Sequence, residues 1–383
     1  MSSVYKNRSV LSEDYQPEAI LEREDEKQAY GAALSPILNG GKPNNIFVYG
    51  NTGVGKTAVT RYMFRQLDDR LNDEDKDFTV VWQNCRNQTT SYQVAVSLVN
   101  ELAPRGEEIP ETGYAPPQVY NMLFDLLDDA GGTILVVLDE VDAVGSDDDL
   151  LYELPRARAE GNLKDAHVGV VGISNDYQFR GQLSPQVQDT LCEKEITFPA
   201  YDATELQTIL TARAKAAFDN DAYDEAIIPQ AAAMAAKDSG SARQGLDLLR
   251  EAGDLAAEEE RVIDEETVRE AVDRLERTNV RRSVQDLTNH ARLALISTTL
   301  KTVEEKERSR TKNIYEKYAV LAEENGDDPL GYRSFQNRLN DLSMMGFLDR
   351  STVNKGERGG KSYTYSVTND PDVILDAVSE LNY

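Results

Sequence analysis

Five short apolar runs punctuate the first two hundred residues: NIFVYG from Asn45, FTVVWQNC from Phe78, TILVVLDE from Thr133, HVGVVGIS from His167 and EKEITFP from Glu193. Several are apolar for four to six residues without a break, the mark of strands covered on both faces. Helical patterns fall between them. In TAVTRYMFRQLDD, Val59, Met63 and Leu67 stand four apart. Strands alternating with helices predict a parallel sheet in an α/β domain.

From Tyr201 the pattern changes. Residues 202–277 are rich in Ala, Glu, Leu and Arg and show no strand signal. ATELQTILTARAKAAF sets Leu206, Ile209, Leu210 and Arg213 along one helix face, with Asp202 or Thr204 as its start, and GSARQGLDLLREAGDLAAEEE predicts another helix. A small all-helical domain follows from this. Near Ser283 a third unit begins. Leu293, Ile296 and Leu300 recur at helical spacing, then Ile314, Tyr318 and Leu321, then Phe335, Leu339 and Leu342, with Gly346 as a helix stop. A strand pair follows, with Tyr363, Tyr365 and Val367 alternating on its second arm and a Gly/Lys/Arg tip between. Three helices and a basic-tipped hairpin predict a winged helix-turn-helix. No internal repeat is present. The expected division is residues 1–200 with a helical insertion near 86–127, residues 201–280, and residues 283–383.

Composition narrows the function classes. A chain of 383 residues implies two or three domains. No run of eighteen apolar residues exists, so no membrane span is expected, and the N-terminus lacks the apolar stretch of a secretory signal. A cytoplasmic location is expected. Two cysteines and two histidines stand in unrelated contexts, which argues against a disulfide or a metal cluster. The net charge is −27, from 68 acidic and 41 basic residues, and only 15 of the basic residues are lysine. Acids spread along the whole chain fit a proteome living in molar salt, where self-repulsion is screened.

Candidate chemistry begins at GNTGVGKT, Gly50 to Thr57, between a predicted strand and a predicted helix. That context makes G-x-x-x-x-G-K-[ST] a phosphate loop. Gly50, Gly53 and Gly55 let successive backbone N–H groups turn inward, Lys56 reaches the β- and γ-phosphates, and the Thr57 hydroxyl is a Mg²⁺ ligand. Downstream, ILVVLDEVD ends a buried strand with Asp139, expected to hold Mg²⁺ through water, and Glu140, expected to polarise an attacking water. Asp142 is a supporting acid. Asn175 ends the next strand, where its amide would aim at the γ-phosphate, although an asparagine there is also an ordinary turn residue. Arg243 begins a helix in the all-helical domain, where it either folds back over the nucleotide or faces solvent.

The assembled pattern resembles the AAA+ ATPases, and within them the archaeal origin-recognition and cell-division-control type of replication initiator. DYQPEAILERE, GISND, ITFPAYDATELQTILTARAKAAF and the C-terminal winged helix carry the resemblance in that order, over nearly the whole chain. It implies a five-stranded AAA+ base, a helical lid and a DNA-binding winged helix. It implies ATP or ADP with Mg²⁺ as cofactors, double-stranded origin DNA and the replicative helicase as partners, and other initiator paralogues beside them. By residue, it implies Gly53, Val54, Gly55, Lys56 and Thr57 as phosphate binders. Asp139 and Glu140 become the Walker B acids, Asn175 sensor 1 and Arg243 sensor 2. It adds Tyr201 and Arg213 as nucleotide contacts, and it makes Arg86 to Leu127, with Gly113 and Tyr114 near the tip, an insertion that touches DNA. Where the family commonly has a Pro-Arg pair, this chain reads LSPQVQDTLCEKE, with Gln186 and Gln188. Glutamine cannot supply the transition-state charge of an arginine finger. Slow or partner-dependent turnover is expected, with Arg156, Arg158 and Arg180 as nearby substitutes. A nucleotide-switched DNA-binding regulator that loads no helicase, and a protein-binding clamp-loader-like module, are the other readings.

Charge also marks the C-terminal unit. Residues 291–361 hold 13 basic against 11 acidic side chains, a local balance of +2 in a chain of −27. If Phe335, Leu339 and Leu342 face a core, then Arg333, Asn337 and Asn340 face away from it. Arg and Asn pair bidentately with guanine and adenine edges in the major groove. Arg338 at the flank suits a phosphate. The tip from Lys355 to Lys361, with Arg358, suits the minor groove or backbone.

Overall fold

A computed structural model describes residues 4–74, 76–305, 308–354 and 361–379. The chain divides after Val268 into two compact units. The first opens with a segment from Val4 and then helix α1 (Glu24–Leu38). Strand β1 (Ile46–Gly50) leads to α2 (Lys56–Asp73), and β2 (Phe78–Asn84) leads to α3 (Ser91–Leu102) and α4 (Pro116–Ala130). β3 (Thr133–Asp139) is followed by α5 (Asp149–Arg156), and β4 (His167–Ser174) by the short α6 (Phe179–Gln182) and α7 (Pro185–Leu191). β5 (Lys194–Phe198) closes the α/β part.

The five strands are all parallel in the order β2-β3-β4-β1-β5. β3 and β4 are buried almost without a break, as two-sided coverage requires. Ile134, Val136 and Leu138 of β3 join the core under α3, α4 and α5, while Leu135 and Val137 join the core under α1 and α2. Each such side chain contributes about 1.5–3 kcal/mol of burial free energy. In this strand order β1 lies between β4 and β5, so the loop after β1 opens beside the C-terminal ends of its neighbours, where α/β sheets hold ligands.

Four helices follow: α8 (Ala203–Ala217), α9 (Ile227–Asp238), α10 (Ala242–Glu258) and the start of α11 (Glu265–Gln285). Asp202 is the cap of α8. Its Oδ1 accepts from the N–H groups of Thr204 and Glu205 at 2.7 and 2.9 Å, and Glu205 reaches back to the N–H of Asp202 at 2.8 Å. Such a reciprocal cap is worth about 1 kcal/mol. The N-terminal segment lies along these helices. Tyr5 bridges to Phe218 as a short antiparallel pair, and Arg8 pairs with Asp254 at 2.6 Å.

The second unit holds the end of α11, then α12 (Asn289–Glu305), β6 (Ser309–Arg310), α13 (Thr311–Glu324), α14 (Tyr332–Met344), β7 (Leu348–Asn354), β8 (Lys361–Val367) and α15 (Pro371–Ser379). The strands form an antiparallel sheet ordered β6-β8-β7. Ile314, Tyr318, Phe335, Leu339, Leu342, Tyr365 and Ile374 make its core. α14 ends as expected at Gly346, whose φ is +83°, with the N–H of Phe347 returning to the Leu342 carbonyl at 2.9 Å. β6 and α15 are additions to the expected three helices and hairpin. No described helix is long and apolar enough to cross a membrane.

Candidate functional site

The loop after β1 wraps onto the N-terminus of α2. Gly53 has φ +80°, and a Cβ there would collide with the Ser241 hydroxyl at the start of α10. The Gly53 carbonyl accepts from the N–H of Ala242 at 3.0 Å, which ties the loop to the helical part. Gly50 has a different reason from the one expected. A Cβ on it would run into the Phe198 carbonyl, so close strand packing excludes a side chain there.

Lys56 is buried, and its Nζ donates to the carbonyls of Gly50 and Asn51 at 2.7 and 2.8 Å and to Asn175 Oδ1 at 2.8 Å. Burial pushes this ammonium down to about 8, partly offset by the nearby carboxylates of Asp139 and Asp142. Thr57 Oγ1 donates to Asp139 Oδ2 at 3.1 Å. Burial raises the Asp139 carboxyl above its ordinary range, against the Thr57 hydrogen bond, which lowers it. The N–H of Glu140 donates to Asp139 Oδ1 at 3.1 Å, and Glu140 itself stands in the left-handed region at φ +56°, ψ +42°. A non-glycine residue there costs on the order of 1–2 kcal/mol, and such strain gathers at functional sites. Asp142 supports the asparagine: its Oδ1 accepts from the N–H of Asn175 at 3.0 Å.

Lys56 with Asn175 and Thr57 with Asp139 therefore form two adjacent hydrogen-bonded pairs at the C-terminal edge of the sheet. An ammonium, a loop of backbone amides and a helix N-terminus suit a polyphosphate. A hydroxyl beside a carboxylate suits a small hard cation that keeps other ligands from water and phosphate. Among the described residues no cluster of three His, Cys, Asp or Glu could hold a metal by itself.

The remaining expected residues have more varied surroundings. Arg243 sits in the first turn of α10 and pairs with Glu13 Oε1 at 3.2 Å, both side chains exposed. Tyr201 is buried behind the loop, with its hydroxyl 3.0 Å from where a Gly55 Cβ would stand. Arg213 donates to the Val10 carbonyl at 3.1 Å and stacks on Tyr15 at 4.5 Å, which joins it to the N-terminal segment. Gln186 and Gln188 lie on α7, and Gln188 donates to the Leu183 carbonyl at 2.8 Å. Arg180 pairs with Glu195 at 3.0 Å, Arg158 donates to the Ala166 carbonyl at 2.7 Å and Arg156 stacks on Tyr152 at 4.3 Å. The insertion folds as α3 and α4, with Tyr114 exposed ahead of α4.

In the second unit Arg333 and Asn337 are exposed on α14, and Arg338 pairs with Asp341 at 2.9 Å. Asn340 departs from its expected outward aspect. Its Oδ1 accepts from Arg350 at 2.9 Å and from the Tyr365 hydroxyl at 3.3 Å, so the strand pair takes it up. Arg350, over the Tyr363 ring at 5.0 Å, is an exposed cation that helical periodicity does not single out. Lys361 opens β8, and Arg358 lies outside the described residues.

A parallel P-loop sheet followed by a helical lid, with a separate winged-helix unit, defines an AAA+ protein. Residues 40–175 match the AAA domain, residues 207–273 the Cdc6 AAA+ ATPase-type lid domain and residues 282–377 the CDC6 C-terminal winged helix domain. The chain is 48% identical to ORC1-type DNA replication protein 15 of Haloarcula marismortui over 381 residues, covering 99% of this chain and 93% of that protein. It is also 48% identical to ORC1-type DNA replication protein 10 of Halobacterium salinarum, covering 99% and 92%. The solved ORC1 protein of Aeropyrum pernix, in complex with DNA, superposes with a TM-score of 0.86 at 34% identity, covering 99% of this chain and 98% of that one. The chain belongs to the ORC1-type family of DNA replication proteins.

Proposed function

We propose that this chain is a nucleotide-controlled initiator that binds double-stranded DNA at a replication origin and helps recruit the replicative helicase. Gly53 to Thr57 and Lys56 in particular would hold the phosphates of ATP or ADP. Thr57 and Asp139 would hold Mg²⁺, which when bound offsets the charge of the β- and γ-phosphates. Glu140 would orient water, Asn175 and Arg243 would read the γ-phosphate, and Tyr201 and Arg213 would support the nucleotide from the lid side. Arg333, Asn337 and Arg338 would meet the duplex, with Arg358 and Lys361 at the wing.

One observation carries the reading: two consecutive residues of the phosphate loop each hold a strand-end side chain, Lys56 that of Asn175 and Thr57 that of Asp139, in a chain 34% identical along its length to an ORC1 protein solved with DNA. Footprinting on origin DNA with ADP, with ATP and with neither is the test. A footprint that is the same for the Lys56→Ala variant under all three conditions would end the nucleotide-controlled part. No footprint would end the DNA part. Arg333→Ala is expected to weaken origin binding more than random-duplex binding, because a base contact carries sequence and a phosphate contact does not.

A second reading has its own support. Gln186 and Gln188 carry no charge, and Arg180 is engaged by Glu195. That favours a state-marking nucleotide with little turnover by the isolated chain. Single-turnover kinetics at saturating ATP separates the two.

A further inference from the structure

Arg23, at the start of α1, has a side chain only 2% exposed. Its Nε and Nη2 donate to the Val54 carbonyl at 3.2 and 3.0 Å. Nη2 also donates to the Pro199 carbonyl at 2.8 Å, and Nη1 to Glu26 Oε1 at 3.1 Å. The guanidinium lies 3.6 Å from the centre of the Tyr201 ring. A buried cation needs such matching to be tolerated. Two of these contacts concern the site.

Val54 stands between Gly53 and Gly55 in the phosphate loop, and every described peptide bond is trans. In a planar trans peptide the Val54 C=O and the Gly55 N–H point in opposite directions. The two donors of Arg23 hold the carbonyl toward the protein interior. The Gly55 N–H then faces the other way, into the loop. Gly55 has φ +92°, and glycine tolerates either orientation of the adjoining peptide. Without a clamp, the peptide is free to turn its carbonyl oxygen toward the anion. The same guanidinium grips Pro199 and Tyr201, and the N–H of Tyr201 donates to the Gly240 carbonyl at 2.9 Å, next to the cap of α10.

We propose that Arg23 is a positioning residue for the nucleotide: it fixes the Val54–Gly55 peptide with its amide turned to the phosphates, and it couples that loop to the segment entering the lid. The inference rests on the nucleotide-binding reading above. Lysine at this position keeps the charge but has neither the planar fork nor the stacking face.

The test uses the full chain in molar KCl, with ¹⁵N-glycine label, as wild type, R23K and R23Q. ADP affinity is titrated, and the Gly55 amide resonance is followed through the titration. R23K and R23Q are expected to bind ADP roughly 10- to 100-fold more weakly. Their Gly55 amide should also lose the large ADP-dependent shift of wild type, a readout that a merely structural arginine would not move. A folded R23K that binds ADP within twofold of wild type overturns the inference while the nucleotide reading stands. Failure of both variants to fold also overturns it, since Arg23 would then serve the fold and not the loop. Wild type that binds no ADP removes both readings together.

Discussion

Lys56 is charged at neutral pH but sits close to losing its proton, and that makes binding in the cleft a protonation event above neutral pH. Its folded pKa, about 8, lies below the ordinary 10.5 because the ammonium is buried. The unfolded chain thus binds more protons than the folded one between pH 8 and about 10.4, so this group's contribution to stability rises with pH across that window. A phosphate placed against the ammonium would favour the charged form. Nucleotide binding at pH 8.5 is therefore expected to take up a fraction of a proton, at most about three-quarters, and almost none at pH 7. Calorimetry in two buffers of different ionisation enthalpy measures this, and Lys56→Ala should abolish the uptake and most of the binding. Glu140 makes a second residue-level case. Replacing it with Asn, which tolerates the left-handed region, is expected to stabilise the fold by about 0.5–1 kcal/mol while removing turnover. Glu140→Gln should remove turnover with no such gain, and thermal melts of the two variants show the difference. Lys56 and Thr57 were legible because the phosphate loop is contiguous in sequence. Arg23 was not: its two carbonyl partners lie 31 and 176 residues away along the chain, and no periodicity or motif encodes that meeting.

At the scale of elements, the tie between the phosphate loop and α10 is one backbone hydrogen bond, from Ala242 to Gly53. Ala242 is the first residue of α10, after Ser241 in extended conformation at φ −97°, ψ +122°. Proline is accepted at that helical position and after such a residue, but has no N–H to donate. Ala242→Pro is expected to leave α10 intact and to weaken nucleotide binding at least about 2- to 10-fold, the worth of one hydrogen bond, because the proline ring also presses on the Gly53 carbonyl. Circular dichroism checks the helix and a fluorescent-ADP titration checks the affinity. The five sheet strands were readable because burial on both faces leaves unbroken apolar runs, and the helices because their core positions recur every three to four residues. β6 has two residues and no pattern to read. Asn340 departs from the outward pattern for a related reason: helical periodicity carries only the angle around α14, while Arg350 and Tyr365 come from the strand pair that folds against its end.

For the molecule as a whole, charge is the dominant long-range term. A net −27 repels itself over about 10 Å at 0.1 M salt and over about 3 Å at 1 M. Near neutral pH, raising KCl from low to molar concentration should raise the melting temperature steadily, since screening relieves repulsion that unfolding would otherwise release. The local pairs run against this trend. Arg8–Asp254 and Arg243–Glu13 are at least partly solvent-exposed and lose strength in salt, but such pairs are worth only about 0–1 kcal/mol each. The sign of the observed slope therefore tells which effect governs the fold. A control follows from the sequence pI near 4.5. At pH 4.5 most of the net charge is gone, so the salt-induced rise should largely vanish there. An undiminished rise at pH 4.5 would point to salt acting through burial of apolar surface instead, and the acidic surface would then need another explanation than self-repulsion tuned to a saline interior.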